Sequence, residues 1–188
     1  MKNVVKTLIL AAIVIAGSAF TINAVKQIDI TESTISWVGK KVTGQHNGTI
    51  NLESGYLELK GDNLVGGEFV IDMTSITVLD LKGKGKGKLE GHLKSDDFFG
   101  VETYPTSKLV ITDASGSDGN YAVTGDLTIK ATTLPITFDL TIDGNTATTS
   151  LTVDRSKFDV RYGSGSFFDN LGDKTIYDDF ELDITLKM

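Results

Sequence analysis

Apolar and polar side chains alternate along much of the chain after residue 24. The clearest case is segment 180–188, in which every even-numbered residue is apolar and every odd-numbered residue is charged or a threonine. A period of two puts successive side chains on opposite faces, so such a segment predicts a β-strand with one apolar face. The same alternation occurs in 121–130 and 136–143, and shorter stretches of it surround Trp37, Ile50, Leu57, Phe69 and Leu109.

The number of these segments and the turn signals between them indicate an all-β fold. About eight strands are expected, and Asp143-Gly144-Asn145 has the composition of a hairpin turn between two of them. Short consecutive strands favour a sandwich or a barrel, and closure of the sheet removes edges that invite aggregation. We therefore expect a single domain, an antiparallel barrel of approximately eight strands.

Segment 82–99 does not follow this alternation. Lysine and glycine alternate over 82–88, and 89–99 adds leucines, charged residues and two phenylalanines. We interpret the first part as a basic loop and the second as a short helix that caps one end of the barrel. The repeat is not a P-loop, since Leu89 follows Lys88 where serine or threonine is required. The main interpretation is a solvated loop. The alternative is that its lysines bind an anionic ligand headgroup electrostatically.

Residues 1–24 have the pattern of a signal peptide. Lys2 and Lys6 precede an uncharged stretch that runs to Phe20, and Ala19 and Ala24 are both small residues suited to the cleavage site. A membrane-spanning helix needs about 20 apolar residues, and this run is shorter. We expect cleavage after Ala24, a mature domain of residues 25–188 without stable membrane insertion, and a periplasmic or secreted location.

Composition restricts the partners. The chain has no cysteine, so its stability must come from a packed core rather than from disulfides. Its formal net charge is −7, and removal of Lys2 and Lys6 makes it −9. An acidic surface repels nucleic acid and anionic membranes at long range, so we expect no nucleic-acid partner. Homo-oligomer formation stays open.

The sequence contains no recognisable catalytic or metal-binding motif. His46 and His92 are the only histidines, and without cysteine a zinc site would need carboxylates beside them. A nucleophile elbow, Gly-x-Ser-x-Gly, does not occur. We expect no metal, no cofactor and no enzymatic activity. The enzymatic alternative would require His46 or His92 to act as a base beside a cavity.

Many of the inward positions are aromatic or large and aliphatic. The interior of an eight-stranded barrel is either filled by side chains or holds one small ligand, and the pattern predicts no central helix to fill it. Each residue alone could be ordinary core, but together they predict an apolar ligand site. The residues expected to line it are Trp37, Phe69, Ile71, Phe98, Phe99, Leu127, Ile129, Phe138, Leu140 and Leu182.

The whole chain after the predicted signal peptide resembles the YceI-like family. The resemblance depends on segments 33–40, 44–50, 66–73, 91–99 with Tyr104-Pro105, 123–130, 154–158 and 161–164. One departure is Ala131, where the family usually has glycine, and we expect it to alter only a turn. The resemblance implies a lipocalin-like barrel, commonly exported to the periplasm, that binds polyisoprenoid or similar long-chain amphiphiles. It implies no catalytic residues.

We therefore expect a non-enzymatic barrel that holds an apolar long-chain lipid or isoprenoid, with the headgroup at the mouth near His46 or His92. Two alternatives remain. A packed interaction module would have the same strands without a hollow interior. An outer-membrane barrel would face its apolar side chains outward and need two aromatic girdles, which one tryptophan and five tyrosines hardly supply.

Overall fold

Nine strands and one α-helix account for most of residues 23–188, the part of the chain that a computed structural model describes. The predicted signal peptide lies outside the described residues, apart from its last two positions. The elements are β1 (Asn23–Gln27), β2 (Asp29–Lys41), β3 (Gly44–Lys60), β4 (Asn63–Val78), α1 (Gly83–Lys94), β5 (Thr106–Ser117), β6 (Asn120–Ile129), β7 (Thr132–Asp143), β8 (Thr146–Asp154) and β9 (Ile176–Lys187). Two short 3₁₀ helices, Arg155–Phe158 and Gly172–Lys174, lie between β8 and β9.

Strands β2 to β9 form a closed up-and-down barrel. Each pairs antiparallel with its neighbour in the chain, and β2 pairs with β9 to close the sheet. The predicted all-β, eight-stranded lipocalin-like barrel is therefore confirmed. Strand β1 is additional, since it pairs only with the last part of β3, from Asn23↔Lys60 to Gln27↔Tyr56.

The predicted alternation decides which side chains face inward. In β9, Phe180, Leu182 and Ile184 are more buried than the exposed Glu181 and Asp183 between them. Phe180 stands opposite Val153 of β8, and Leu182 stands opposite Trp37 of β2. Apolar residues of neighbouring strands thus meet inside the barrel, as a period of two requires.

Tight turns connect several strands as the sequence predicts. Gly144, with φ of +56°, supports the two-residue turn between β7 and β8. In the turn between β6 and β7 the left-handed residue is Lys130, with φ of +55°, and not Ala131. Alanine at position 131 therefore needs no unusual backbone.

In an up-and-down barrel, every second connection along the chain lies at the same end of the barrel. One end, here called the helix end, carries the connections 42–43, 79–105, 130–131 and 155–175 and includes α1. The other end, the turn end, carries the short connections 61–62, 118–119 and 144–145. The turn end is closed by a continuous apolar core that includes Ile28, Leu57, Leu64, Tyr121 and Ala147.

Residues 83–88 of the lysine–glycine repeat lie within α1, with Lys82 as its N-cap, and the prediction that the repeat forms a loop was wrong. Glycine is a poor helix former, but contacts with the barrel outweigh that preference here. The Glu90 carboxylate accepts a 2.8 Å hydrogen bond from the backbone N–H of Val78 at the end of β4. Leu93 packs against the apolar group around Met73, Ile76 and Val101.

Candidate functional site

An apolar cavity occupies the barrel interior between the turn-end core and the helix end. The volume open to the centre of a water-sized sphere is about 190 Å³. One water needs about 10–15 Å³ on this measure, so the cavity is many times larger. All ten residues predicted from the sequence line it: Trp37, Phe69, Ile71, Phe98, Phe99, Leu127, Ile129, Phe138, Leu140 and Leu182. That they bind a ligand remains a prediction.

Three polar side chains of the cavity wall are already hydrogen-bonded to the barrel. The Ser107 hydroxyl donates to the Thr128 carbonyl at 2.6 Å, and the Thr149 hydroxyl donates to the Asp139 carbonyl at 2.6 Å. The Trp37 indole N–H donates to the Thr49 carbonyl at 3.3 Å. A water molecule in a cavity needs two to four polar partners. This wall offers few, so it suits an apolar occupant.

Arg155 lines the helix end of the cavity and is 2% exposed. It follows β8 directly, as the first residue of the short 3₁₀ helix. Its guanidinium donates to three main-chain carbonyls, those of Val160 at 2.8 Å, Ile176 at 3.1 Å and Tyr177 at 3.2 Å. A single buried side chain thereby ties the 155–176 connection to the barrel.

The charge of Arg155 is balanced locally. Burial lowers the pKa of Arg155, whereas the nearby Asp178 and Asp154 carboxylates raise it. Asp178 Oδ1 lies 3.4 Å from Nη2, within ion-pair distance, but the geometry does not make this contact a hydrogen bond. The ordinary arginine pKa is so high that the group remains a cation at physiological pH. Sequence reasoning missed Arg155 as a site residue.

Aromatic rings cover the cavity at the helix end. Phe98 and Phe99 contact edge to face with ring centres 5.1 Å apart, and Phe99 lies 6.5 Å from Phe180 of β9. On the outer side, His92 of α1 packs against Phe98 at 5.7 Å and against Tyr162 at 4.3 Å. Edge-to-face contacts of this kind stabilise a cover without polar groups.

The two histidines predicted to meet a headgroup lie outside the cavity wall. His46 Nδ1 is 2.7 Å from Asp80 Oδ2. Burial raises the pKa of Asp80, but the hydrogen bonds from His46 and from the Asn47 backbone lower it, and the net pKa is below the ordinary value. His92 Nε2 is buried and has no hydrogen-bond partner among the described residues. Neither imidazole is among the residues that line the cavity.

The cavity wall is weakest between β7 and β8. Their pairing covers only three residue pairs, Thr141↔Thr148, Ile142↔Ala147 and Asp143↔Thr146, beside the turn. Both strands continue toward the helix end, where each pairs only with its other neighbour. We call this unpaired stretch, Thr132–Leu140 against Thr149–Asp154, the β7–β8 seam. Apolar side chains from both strands pack across it, among them Ile136, Leu151 and Val153.

Neither a metal centre nor a membrane-spanning helix is found in residues 23–188. No group of three or more histidine, cysteine, aspartate or glutamate residues in this range could hold a metal ion. No helix in the same range is both long and apolar enough to cross a bilayer.

A closed eight-stranded up-and-down barrel around an apolar cavity defines a lipocalin-like binding barrel. The model of the YceI-like domain matches residues 27–188, and the chain belongs to that family.

Curated relatives match over a shorter stretch. A UPF0312 protein of Photorhabdus laumondii is 38% identical over 53 residues, which is 28% of this chain and 28% of that protein. A UPF0312 protein of Pseudomonas putida is 44% identical over 54 residues, again 28% of each chain. The matches therefore span little more than a quarter of those relatives.

Solved structures share the fold over most of the chain. BcnA of Burkholderia cenocepacia has a TM-score of 0.68 at 23% identity, covering 85% of this chain and 98% of that one. A polyisoprenoid-binding domain from Saccharophagus degradans has a TM-score of 0.61 at 17% identity, covering 85% and 95%. A mutant YceI protein from Campylobacter jejuni, crystallised with a monobromobimane guest, has a TM-score of 0.55 at 15% identity, covering 100% and 90%.

Proposed function

We propose that the protein is a non-enzymatic carrier or scavenger that holds one long-chain amphiphile, a polyisoprenoid or another lipid, inside the barrel. The observation that carries the proposal is the apolar cavity, whose wall hydroxyls at Ser107 and Thr149 are already bonded to carbonyls. An alkyl or isoprenyl chain forms no hydrogen bonds, and its transfer from water into an apolar cavity is favourable in free energy.

The affinity should rise with the length of the chain. Each methylene removed from water contributes about 0.8 kcal/mol before the costs of ordering the ligand. A headgroup would stay at the helix end. Contact with His46 or His92 would require it to project beyond the cavity wall, because neither imidazole lines the cavity.

The family and the fold support a binding barrel, and the Saccharophagus degradans neighbour is itself described as polyisoprenoid-binding. The identity of 17% to that domain is too low to transfer its ligand. The absence of a catalytic motif in the sequence agrees with a binding role.

Export is part of the proposal. Residues 1–24 would be a cleaved signal peptide, and residues 25–188 would act in the periplasm or outside the cell. Fractionation of the producing cells with an intact-mass measurement tests this. A cytoplasmic protein that retains Met1–Ala24 would contradict it.

The first experiment is to purify residues 25–188 without detergent, extract them with organic solvent and analyse the extract by lipid mass spectrometry beside a mock preparation. A long-chain lipid at stoichiometric amount supports the proposal. An empty extract, followed by no uptake of polyprenyl or fatty-acyl probes, would favour the packed interaction module.

A matched pair of variants locates the binding to the cavity. Phe138 lines the cavity, and its neighbour Thr137 points to the exterior of the same strand. Phe138→Asp should abolish uptake of a fluorescent fatty acid. A bound acyl chain would cover the new carboxylate and remove it from water, and burial of an unpaired charge is costly. Thr137→Asp should bind like the unchanged protein. Undiminished binding by a folded Phe138→Asp protein would exclude this cavity as the site.

A further inference from the structure

Exposed large apolar residues are concentrated at the helix end. Nine such residues occur among residues 24–188, and only Val25, Ile30 and Val65 lie at the turn end. The other six are Val42, Leu79, Tyr162, Phe167, Phe168 and Tyr177. Clustered exposed apolar side chains mark an interaction surface, whereas scattered ones need no explanation.

The charges of the barrel are also distributed unevenly between its ends. Residues 23–188 contain 16 basic and 25 acidic side chains, a net of −9. The helix end, taken as 40–46, 79–105, 130–131 and 154–179, contains twelve of the basic and eleven of the acidic ones. The helix end therefore has a net charge of +1, and the remainder of the barrel, with four basic and fourteen acidic side chains, has a net charge of −10. An anionic surface would therefore repel the turn end but not the helix end.

Exposed lysines and exposed aromatic rings both occur at this end. Tyr162 packs on His92 of α1, which joins the 161–170 loop to the helix. Lys84 and Lys88 lie one turn apart on α1, are exposed, and form no salt bridge among the described residues. Phe167 and Phe168 are 40% and 49% exposed in the adjoining loop.

We propose that the helix end docks on the surface of an anionic lipid bilayer. Phe167 and Phe168 would enter the headgroup region, and Lys84 and Lys88 would meet lipid phosphates. Amphipathic surfaces with lysines beside aromatic residues bind the membrane interface in this way, reversibly and without spanning it. This inference stands on the surface of the barrel and does not depend on what the cavity holds.

Vesicle cosedimentation of residues 25–188 tests the docking. The probes are vesicles of phosphatidylcholine alone and of phosphatidylcholine with phosphatidylglycerol, each at low and high salt. We expect binding to the anionic vesicles and loss of it at high salt, since surface charges are screened. Lys84→Glu with Lys88→Glu should weaken it at least about tenfold, because each lysine near an anionic surface contributes appreciably.

Matched variants at the opposite end complete the test. Phe167→Ser with Phe168→Ser should weaken binding, while Val25→Ser with Val65→Ser should leave it unchanged. Equal binding to both kinds of vesicle, no binding at all, or equal effects of the two pairs of variants would each overturn the proposal. All four positions are exposed, so the fold should tolerate the changes.

A second inference rests on a different observation, the β7–β8 seam, and on the proposed function. The β2–β3 and β4–β5 ladders also stop early, but toward the turn end, where the apolar core closes the barrel. Between β7 and β8 the missing pairs lie toward the helix end, beyond Thr141↔Thr148. At that point the Thr149 hydroxyl takes the place of a backbone N–H and donates to the Asp139 carbonyl at 2.6 Å. Beyond it, only side-chain packing separates the cavity from solvent.

The structure assigns the seam as the passage through which the lipid enters and leaves. Along the seam the two strands can separate without breaking ladder hydrogen bonds, whereas separating β5–β6, β6–β7 or β8–β9 in the same half of the barrel would break several. The seam extends to the helix end, where Thr132 of β7 and Asp154 of β8 lie.

Cross-linking tests the passage, and the absence of native cysteine makes it specific. Continued register would place Thr137 opposite Thr152, both exposed, across the seam. Thr137→Cys with Thr152→Cys, joined by a short bismaleimide, should slow uptake and release of a fluorescent fatty acid several-fold and leave the equilibrium Kd unchanged. The control is Thr124→Cys with Thr137→Cys, which joins the directly paired residues of β6 and β7.

The outcomes separate the two claims. If the cross-linked seam exchanges ligand as fast as the control does, the passage is elsewhere and the proposed function stands. If neither protein nor the unchanged chain binds the probe or the polyprenyl compounds, the proposed function fails.

Discussion

The guanidinium carbon of Arg155 lies 5.2 Å from the centre of the Phe98 ring. The two residues come from different connections of the helix end, since Phe98 follows α1 and Arg155 follows β8. A cation over an aromatic face in a desolvated place is a favourable contact. The pair therefore joins two of the loops that close the cavity.

Removal of the guanidinium should destabilise the protein strongly. Arg155→Met keeps much of the length and volume but leaves the carbonyls of Val160, Ile176 and Tyr177 without their donor. We expect a loss of about 3 kcal/mol in the free energy of unfolding, measured by urea denaturation. Arg161→Met is the control, because Arg161 is exposed and its ion pair with Asp159 contributes under about 1 kcal/mol. Equal losses would show that burial of Arg155 has no special role.

Gly48 leaves room for the Trp37 ring. A Cβ at position 48 would lie 1.8 Å from the Thr77 carbonyl oxygen and 2.5 Å from a ring carbon of Trp37. Gly48→Ala should shift the β3–β4 pairing or the ring, cost about 2 kcal/mol or more, and change the fluorescence of this single tryptophan.

Gly39→Ala is the matched control for this position. Gly39 belongs to β2, which pairs with β3, yet a Cβ there would meet no atom within 4 Å. Its stability and fluorescence should stay close to those of the unchanged protein. A Gly48→Ala protein with unaltered fluorescence and stability would contradict the packing described.

The sequence predicted the barrel and the cavity wall for one physical reason. A period of two fixes which face of a strand each side chain occupies, so Leu127, Phe138 and Leu182 could be placed inside before their partners were known. Turn chemistry likewise predicted the hairpin at Gly144.

Other features depend on contacts between distant residues and have no local signal. The helix over the lysine–glycine repeat depends on the contact of Glu90 with β4, and the pairing of β1 joins residues 29 to 37 positions apart. Arginine is almost always exposed unless paired, so nothing in the sequence around Arg155 indicates its burial. The seam follows from where a ladder ends, which the alternation of Leu134–Leu140 does not encode.

Asp154 caps the 3₁₀ helix that carries Arg155, and its contribution should depend on pH. Its carboxylate accepts hydrogen bonds from the backbone N–H of Ser156 at 3.0 Å and from the Ser156 hydroxyl at 2.6 Å. Burial raises the pKa of Asp154. The two hydrogen bonds and the charge of Lys157 lower it by more than burial raises it, so the pKa lies below the ordinary value of 3.8. Because the folded pKa is lowered, the stabilisation is present above the ordinary pKa and is lost as the pH falls through the folded pKa.

Asp154→Ala should therefore cost about 1 kcal/mol at neutral pH, and this difference should shrink once the pH falls below the ordinary aspartate pKa of 3.8. Urea denaturation of both proteins at neutral and strongly acidic pH measures it. Asp169→Ala, in an exposed loop, serves as the control and should differ little at either pH. A difference for Asp154→Ala that persists unchanged in acid would assign the cost to something other than the carboxylate charge.

Filling the cavity separates a hollow barrel from a packed one. Ile136 of β7 and Leu151 of β8 lie on the two sides of the seam, and both side chains line the cavity. If the space is empty in the free protein, Ile136→Phe with Leu151→Phe adds buried apolar surface, so stability should stay equal or rise by about 1 kcal/mol while uptake of a fluorescent fatty acid falls. Thr152→Phe, on the outer face beside Leu151, should leave uptake unchanged.

In a packed interior, Ile136→Phe with Leu151→Phe would force side chains out of place and cost about 1–3 kcal/mol, so a destabilised variant would argue against a lipid-holding barrel.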